Sequence, residues 1–150
     1  KNPKPVKIYE ALGAVADRRV EVSGNTGKVF SSSRNKFYEI NYAPESNEIM
    51  SNDNSSYWTD TLGYPAIAFL MKIKVLSYSE EIGGILKGVL WKDINQKFKN
   101  NFEKALDFVL SSKTDGERKK LAEFVSEADK EIKNLKLGML GEKVIPPSGY

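Results

Sequence analysis

GYPAIAFLMKIKVL, residues 63–76, carries apolar side chains around nearly the whole circumference of the helix it predicts. Gly63-Tyr64-Pro65 opens that helix, because proline is tolerated in a first turn, and the pattern runs to about Leu76. After Pro65 only Lys72 and Lys74 are charged. A surface helix would show an apolar stripe opposite a polar face. One that lacks the polar face must be enclosed, so the fold is decided by what encloses it.

The enclosing elements are legible on both sides. Upstream, Pro5 suits a first helical turn, and Ile8, Leu12, Val15 and Ala16 recur at helical spacing, which predicts a short amphipathic helix to Asp17. Val20 and Val22 then alternate with Arg19 and Glu21, Gly24-Asn25-Thr26-Gly27 has turn chemistry, and Val29 to Ser33 is extended again: a β-hairpin. Tyr38, Ile40 and Tyr42 fall on one face of the clearest strand, with Phe37, Glu39 and Asn41 on the other. The turn from Ala43 to Asn47 returns the chain through Glu48 to Asn52, completing a meander of three or four strands.

Downstream, Ser79 caps a short helix through Lys87. From Leu90 the residues Trp91, Ile94, Phe98, Phe102, Ala105 and Val109 step by threes and fours, predicting one helix of about 20 residues. Thr114-Asp115-Gly116-Glu117 reads as a capping box and starts a second long helix. Leu121, Val125, Ala128, Ile132, Leu135 and Met139 form a heptad seam along it. A short connection predicts an antiparallel hairpin. The expected class is α+β: a small antiparallel β-meander packed on a buried helix, followed by a long antiparallel helical hairpin. Residues 1–79 would form the α+β part, 80–145 the hairpin packed on it, and 146–150 a flexible tail.

The chain has no cysteine and no histidine. Disulfides, Cys/His zinc sites, thiolate and imidazole nucleophiles and a histidine general base are therefore excluded. The net charge of +3 is small but unevenly spread: residues 1–36 carry +5, residues 37–60 carry −5 with no Lys or Arg, and the rest carries +3. If the first two segments pair in one sheet, their charges largely answer each other. Ala66 to Met71 is the longest apolar run, six residues against the roughly 18 of a membrane span, so no membrane partner is expected. The chain begins at Lys1, its first residues lack the apolar core of a signal peptide, and a cytoplasmic location is expected.

Four motifs invite chemistry. Gly24-Asn25-Thr26-Gly27-Lys28 imitates a phosphate-binding loop, but its glycines are too close and a strand follows, which favours a hairpin turn. Ser33-Arg34-Asn35-Lys36 fits S-x-x-K, whose lysine can accept a serine proton when both lie on one helix; a hairpin tip does not align them so. The polar loop Asn52, Asp53, Asn54, Tyr57, Trp58 and Asp60 offers hard oxygen ligands for Ca²⁺ or Mg²⁺ and, in Asp53, Asp60 and Tyr57, the best candidates for catalysis. It lacks the EF-hand order of acids and glycine, and turn-making is the expected role of its Asp and Asn. Finally, Lys87 to Lys104 interleaves lysines with Trp91, Phe98 and Phe102, a composition suited to nucleic acid, although such lysines commonly drape their stems over a core edge.

Val29–Tyr42 (VFSSSRNKFYEINY), Glu48–Asp53 (EIMSND) and Leu62–Leu76 (LGYPAIAFLMKIKVL) together resemble the SWIM-type zinc finger, which places Cys-x-Cys on a strand end and Cys-x-His at a helix start. The ligand positions here are Ile49, Ser51, Ala66 and Ala68, none of which binds zinc. The resemblance implies a recognition module for DNA or protein in which packing replaces the metal. It transfers no functional residue.

The expected function is a non-catalytic binding module with no catalytic residue, cofactor or metal. A protein partner or a homodimer through the helical hairpin leads. Nucleic acid is the alternative, contacted through Lys7, Arg18, Arg19, Arg34, Lys92, Lys97, Lys99 and Lys104. An enzyme built on the Asp53–Asp60 loop is the third reading.

Overall fold

The computed structural model describes residues 3–53, 61–141 and 144–147. The chain order is α1 (Pro5–Ala16), β1 (Val20–Ser23), β2 (Thr26–Phe30), β3 (Phe37–Ala43), β4 (Glu48–Ser51), α2 (Tyr64–Lys72), α3 (Glu80–Ile85), α4 (Trp91–Lys97), α5 (Phe102–Leu110), α6 (Asp115–Leu135) and β5 (Gly138–Met139). The strands form one sheet in the order β1-β2-β3-β4-β5. The first four are antiparallel neighbours, as the meander requires.

β5 makes the sheet mixed, because it pairs with β4 in parallel. It arises when the chain leaves α6 through Lys136, whose φ of 50° turns it back along the sheet edge. There the amide of Gly138 donates to the Asn47 carbonyl at 3.0 Å and that of Leu140 to Ile49 at 3.0 Å. The purely antiparallel expectation is corrected on this point. Both edges are short, four residues in β1 and two in β5, which limits sheet-to-sheet association.

α2 is enclosed as its composition demands: Pro65 to Met71 are all buried. It ends at Lys72 rather than Leu76, since Lys74 adopts a φ of 67°. On one side it meets the inner face of the sheet, where Val20, Val29, Tyr38, Ile40 and Ile49 are buried. Phe69 fits against Gly27 in β2: a β-carbon there would lie 2.5 Å from the ring, so only glycine admits the helix this close. On the other side lies α1. The expected amphipathic α1 is instead enclosed from Ile8 to Ala14, including Tyr9 and Glu10, between α2, α3 and α6.

The helix expected from Leu90 is broken. α4 and α5 are separated by residues 98–101, where Lys99 and Asn100 adopt φ of 52° and 62° and Asn101 caps α5 by accepting the Lys104 amide at 3.2 Å. Neither Gly nor Pro marks the break, which is why periodicity runs straight across it. The heptad seam of α6 is buried at Leu121, Val125, Ala128 and Ile132, and α6 packs on α1 and α3. Ser77 fixes it further, its amide and hydroxyl donating to Glu131 at 2.9 and 2.6 Å. The seam therefore closes the protein's own core, which runs continuously from Val6 to Ile132.

The capping box is formed as expected. Thr114 Oγ1 accepts the Glu117 amide at 3.0 Å and the Glu117 carboxylate accepts the Thr114 amide at 2.9 Å. Thr114→Ala should cost about 1 kcal/mol in urea denaturation, the usual value of such a cap. A loss below a few tenths of that would show that α6 is held by packing alone.

Candidate anion-binding corner

β2 and β3 are joined by residues 31–36, SSSRNK, and the loop is closed by the Ser31 amide donating to the Lys36 carbonyl at 3.0 Å. Arg34 stands at its tip with a φ of 62°. The small polar residues on either side of that tip fold their side chains inward onto one atom. Asn35 Oδ1 accepts from Ser33 Oγ at 2.7 Å, Ser31 Oγ at 3.3 Å and Lys92 Nζ at 2.8 Å. Lys92 comes from α4, whose position against the loop is set by its own amide donating to Ser32 Oγ at 2.9 Å.

A third segment enters from the end of α1. Arg34 Nη2 donates to the Asp17 carbonyl at 2.8 Å, bringing the exposed Arg18 beside the loop. Asp17 holds its own carboxylate toward the Gly88 amide at 2.8 Å and Arg19 Nε at 3.7 Å. Arg18, Arg34, Lys36 and Lys92 thus meet at one end of the molecule. Partial burial, with the positive charge of Lys92 nearby, holds the Lys36 amine below the ordinary lysine range.

Beneath this surface lies a buried polar group. Arg19 is 2% exposed and donates through Nη1 to the Phe30 carbonyl at 2.9 Å, the residue from which the loop departs. Glu10, 3% exposed, accepts from Asn95 Nδ2 at 3.0 Å. Both act on the phenol of Tyr64, which is pushed well above the ordinary tyrosine value chiefly by burial and secondly by Tyr38, while Arg19 opposes the shift. A phenol kept neutral in the fold but free to ionise in the unfolded chain favours unfolding once the pH passes roughly 10. Stability should hold below that pH and fall above it. Tyrosinate absorbance from Tyr64 should appear only together with loss of helical circular dichroism; its appearance in a folded protein would contradict the burial.

The candidate nucleic-acid contacts divide accordingly. Arg18, Arg34 and Lys92 are brought together. Arg19 is a buried anchor and not a surface contact, which corrects the expectation for that residue. Lys7 lies 4.0 Å over the Phe102 ring and Lys97 4.5 Å over that of Phe108, so their stems drape on aromatic surface. Lys99 and Lys104 are exposed, and no side-chain hydrogen bond ties them to the corner among the described residues.

The polar loop has another use where it is described. Asn52 Oδ1 accepts the Glu39 amide at 2.7 Å. Asp53 is buried and accepts Ser51 Oγ at 2.5 Å; its carboxylate lies so close to Gly63 that a β-carbon there would be 2.2 Å away. The carboxyl group therefore stands at the N-terminal end of α2, where a negative charge is a stabilising one. Asn54, Tyr57, Trp58 and Asp60 lie outside the described residues. Among the described residues no three acidic side chains come together, and no helix is long and apolar enough to cross a membrane. Ile49, Ser51, Ala66 and Ala68 are all buried where β4 meets α2.

Reading the sequence missed Lys36, Ser31, Ser32 and Asn35 as members of one constellation. The available signal was the SSSRNK run itself, a loop in which six successive residues carry hydrogen-bonding side chains.

Residues 1–138 match the family described as Uncharacterised conserved protein UCP014422, and the chain belongs to that family. No curated protein and no solved structure matches the chain.

Proposed function

We propose that this family member is a non-catalytic module that binds single-stranded nucleic acid at the 31–36 corner. The observation that carries the reading is a juxtaposition. Phe30 and Phe37, the residues on either side of the loop, place their rings 5.7 Å apart on the sheet face opposite α2, and Phe37 is 38% exposed. Lys28 lies 4.8 Å over the Phe37 ring. The exposed Phe37 ring offers a base a surface to stack on, and the loop that leads into it carries the exposed Arg34 and is bonded by Lys92, cations that can hold a phosphate, the pairing that single-strand binders use.

A protein partner seated on the α6 seam fits less well, because that seam is covered by α1 and α3. Kinship with SWIM-type fingers is consistent with a recognition role, supported by the apolar packing around residues 49, 51, 66 and 68. An enzyme built on Asp53 is disfavoured by that carboxylate's place at the end of α2.

The test is fluorescence anisotropy with a labelled oligonucleotide of about twelve nucleotides. Binding should be measurable near 50 mM salt and weaken by about tenfold or more at roughly 200 mM, as release of counterions from several phosphates requires. Phe37→Ala should weaken it by about 1–3 kcal/mol through lost stacking. Absence of binding at the lower salt concentration overturns the proposal.

A further inference from the structure

The corner is arranged as a point and not as a track. Lys92 and the hydroxyls of Ser31 and Ser33 converge on Asn35 Oδ1, whereas a surface that follows a strand spaces its cations along a groove. The neighbouring sheet face also discourages a strand from continuing. The register Glu21↔Lys28 and Lys28↔Glu39 sets two carboxylates in a row across the outer face, one step beyond Phe30↔Phe37. A phosphodiester chain running past the rings would meet like charge on both sides of Lys28.

Asn35 Oδ1 also marks a particular position. Ser31, Ser33 and Lys92 aim three donors at this one neutral oxygen. An anionic oxygen there would make the two serine contacts charge-assisted, and so shorter and stronger, and would turn the Lys92 contact into an ion pair. A terminal phosphate carries about −1.5 to −2 charges and three acceptor oxygens near neutral pH, whereas a phosphodiester carries one charge.

Building on the single-strand reading, we propose that the corner recognises the terminal phosphate of the strand, with the phosphate oxygen displacing Asn35 Oδ1 from the focus of Ser31, Ser33 and Lys92. The last base then stacks on Phe30 and Phe37, and the strand leaves away from Glu21 and Glu39.

One oligonucleotide sequence prepared with a 5′-phosphate, with a 3′-phosphate and with neither, and labelled internally, tests this. One phosphorylated form should bind about tenfold or more tightly than the unphosphorylated strand. Inorganic phosphate at millimolar concentration should remove that advantage while sparing the unphosphorylated strand. Asn35→Asp, nearly isosteric, fixes a negative charge at the focus and should abolish the preference; Lys92→Gln should reduce it by a route that does not depend on Asn35→Asp folding. Equal affinity for all three forms, each still weakened by salt, would overturn terminal recognition and leave single-strand binding standing. Failure of all three to bind would remove both.

Discussion

Phe69→Ala is expected to destabilise the protein by about 3–5 kcal/mol, the range for removing a fully buried aromatic side chain. The ring is 0% exposed and lies where α2 meets β2, against a glycine that leaves room for it. Its loss opens a cavity bordered by backbone, which cannot collapse as a side-chain-lined void can. Gly27→Val should also destabilise, by about 1–3 kcal/mol or more, because its β-carbon would begin 2.5 Å from the ring. The informative variant combines them. With the ring gone, valine at position 27 fills part of the vacated space, so the double variant should be more stable than the sum of the single effects by about 0.5–3 kcal/mol. Urea denaturation followed by circular dichroism measures all four corners of the cycle. Simple additivity would show that Phe69 and Gly27 are not complementary.

The same pair shows what could be read from the chain. The all-round apolar character of Ala66–Met71 demanded enclosure, and the alternation at Tyr38, Ile40 and Tyr42 identified the sheet that encloses one side. The Gly24-Asn25 turn, the strand pairing through β4, the Ser79 cap and the Thr114 capping box were all local, and local chemistry specifies them. Other features depend on tertiary context. Lys99 and Asn100 interrupt a continuous helical pattern through left-handed backbone, and the signal for it was the Asn100-Asn101 pair, a residue type suited to left-handed backbone and to capping, which the apolar periodicity overrode. β5 is two residues long and owes its existence to where α6 ends. The heptad seam is buried from Leu121 to Ile132, but Met139, expected at its end, lies exposed in β5, and the partner helices α1 and α3 could not be chosen from periodicity alone.

The site was less legible than the fold for a related reason. A run of serines at a hairpin tip looks like solvated surface, and only the approach of α4 turns it into a constellation. Lys92 is sixty residues from Ser32, and the hydrogen bond between them follows from how α4 is packed. Arg19 misled in the opposite direction. In sequence it pairs with Arg18 as a second exposed cation; in the fold their directions diverge, because Arg18 adopts a φ of 57° and remains at the surface while Arg19 enters the core.

That divergence makes Arg19 the residue whose substitution should couple stability to binding most strongly. Arg19→Ala is expected to cost about 3–5 kcal/mol, since it leaves the largely buried Asp17 carboxylate without the guanidinium that lies 3.7 Å from it. It also removes the 2.9 Å hydrogen bond to the Phe30 carbonyl, so the loop carrying Ser31 to Lys36 loses one tie to the core, while the Phe30 amide still donates to the Arg19 carbonyl at 2.8 Å. Arg19→Lys should recover little, because a single ammonium cannot reproduce the fixed fork of the guanidinium. A charge-neutral replacement separates the two roles. Arg19→Met with Asp17→Asn removes both members of the ion pair together and should be more stable than Arg19→Met alone by about 1–3 kcal/mol. Its affinity for the oligonucleotide should nevertheless stay reduced, because the Phe30 carbonyl still lacks its guanidinium donor. If the double variant binds as the unmodified chain does, Arg19 acts only through the charge balance of the core and the corner holds its shape without it.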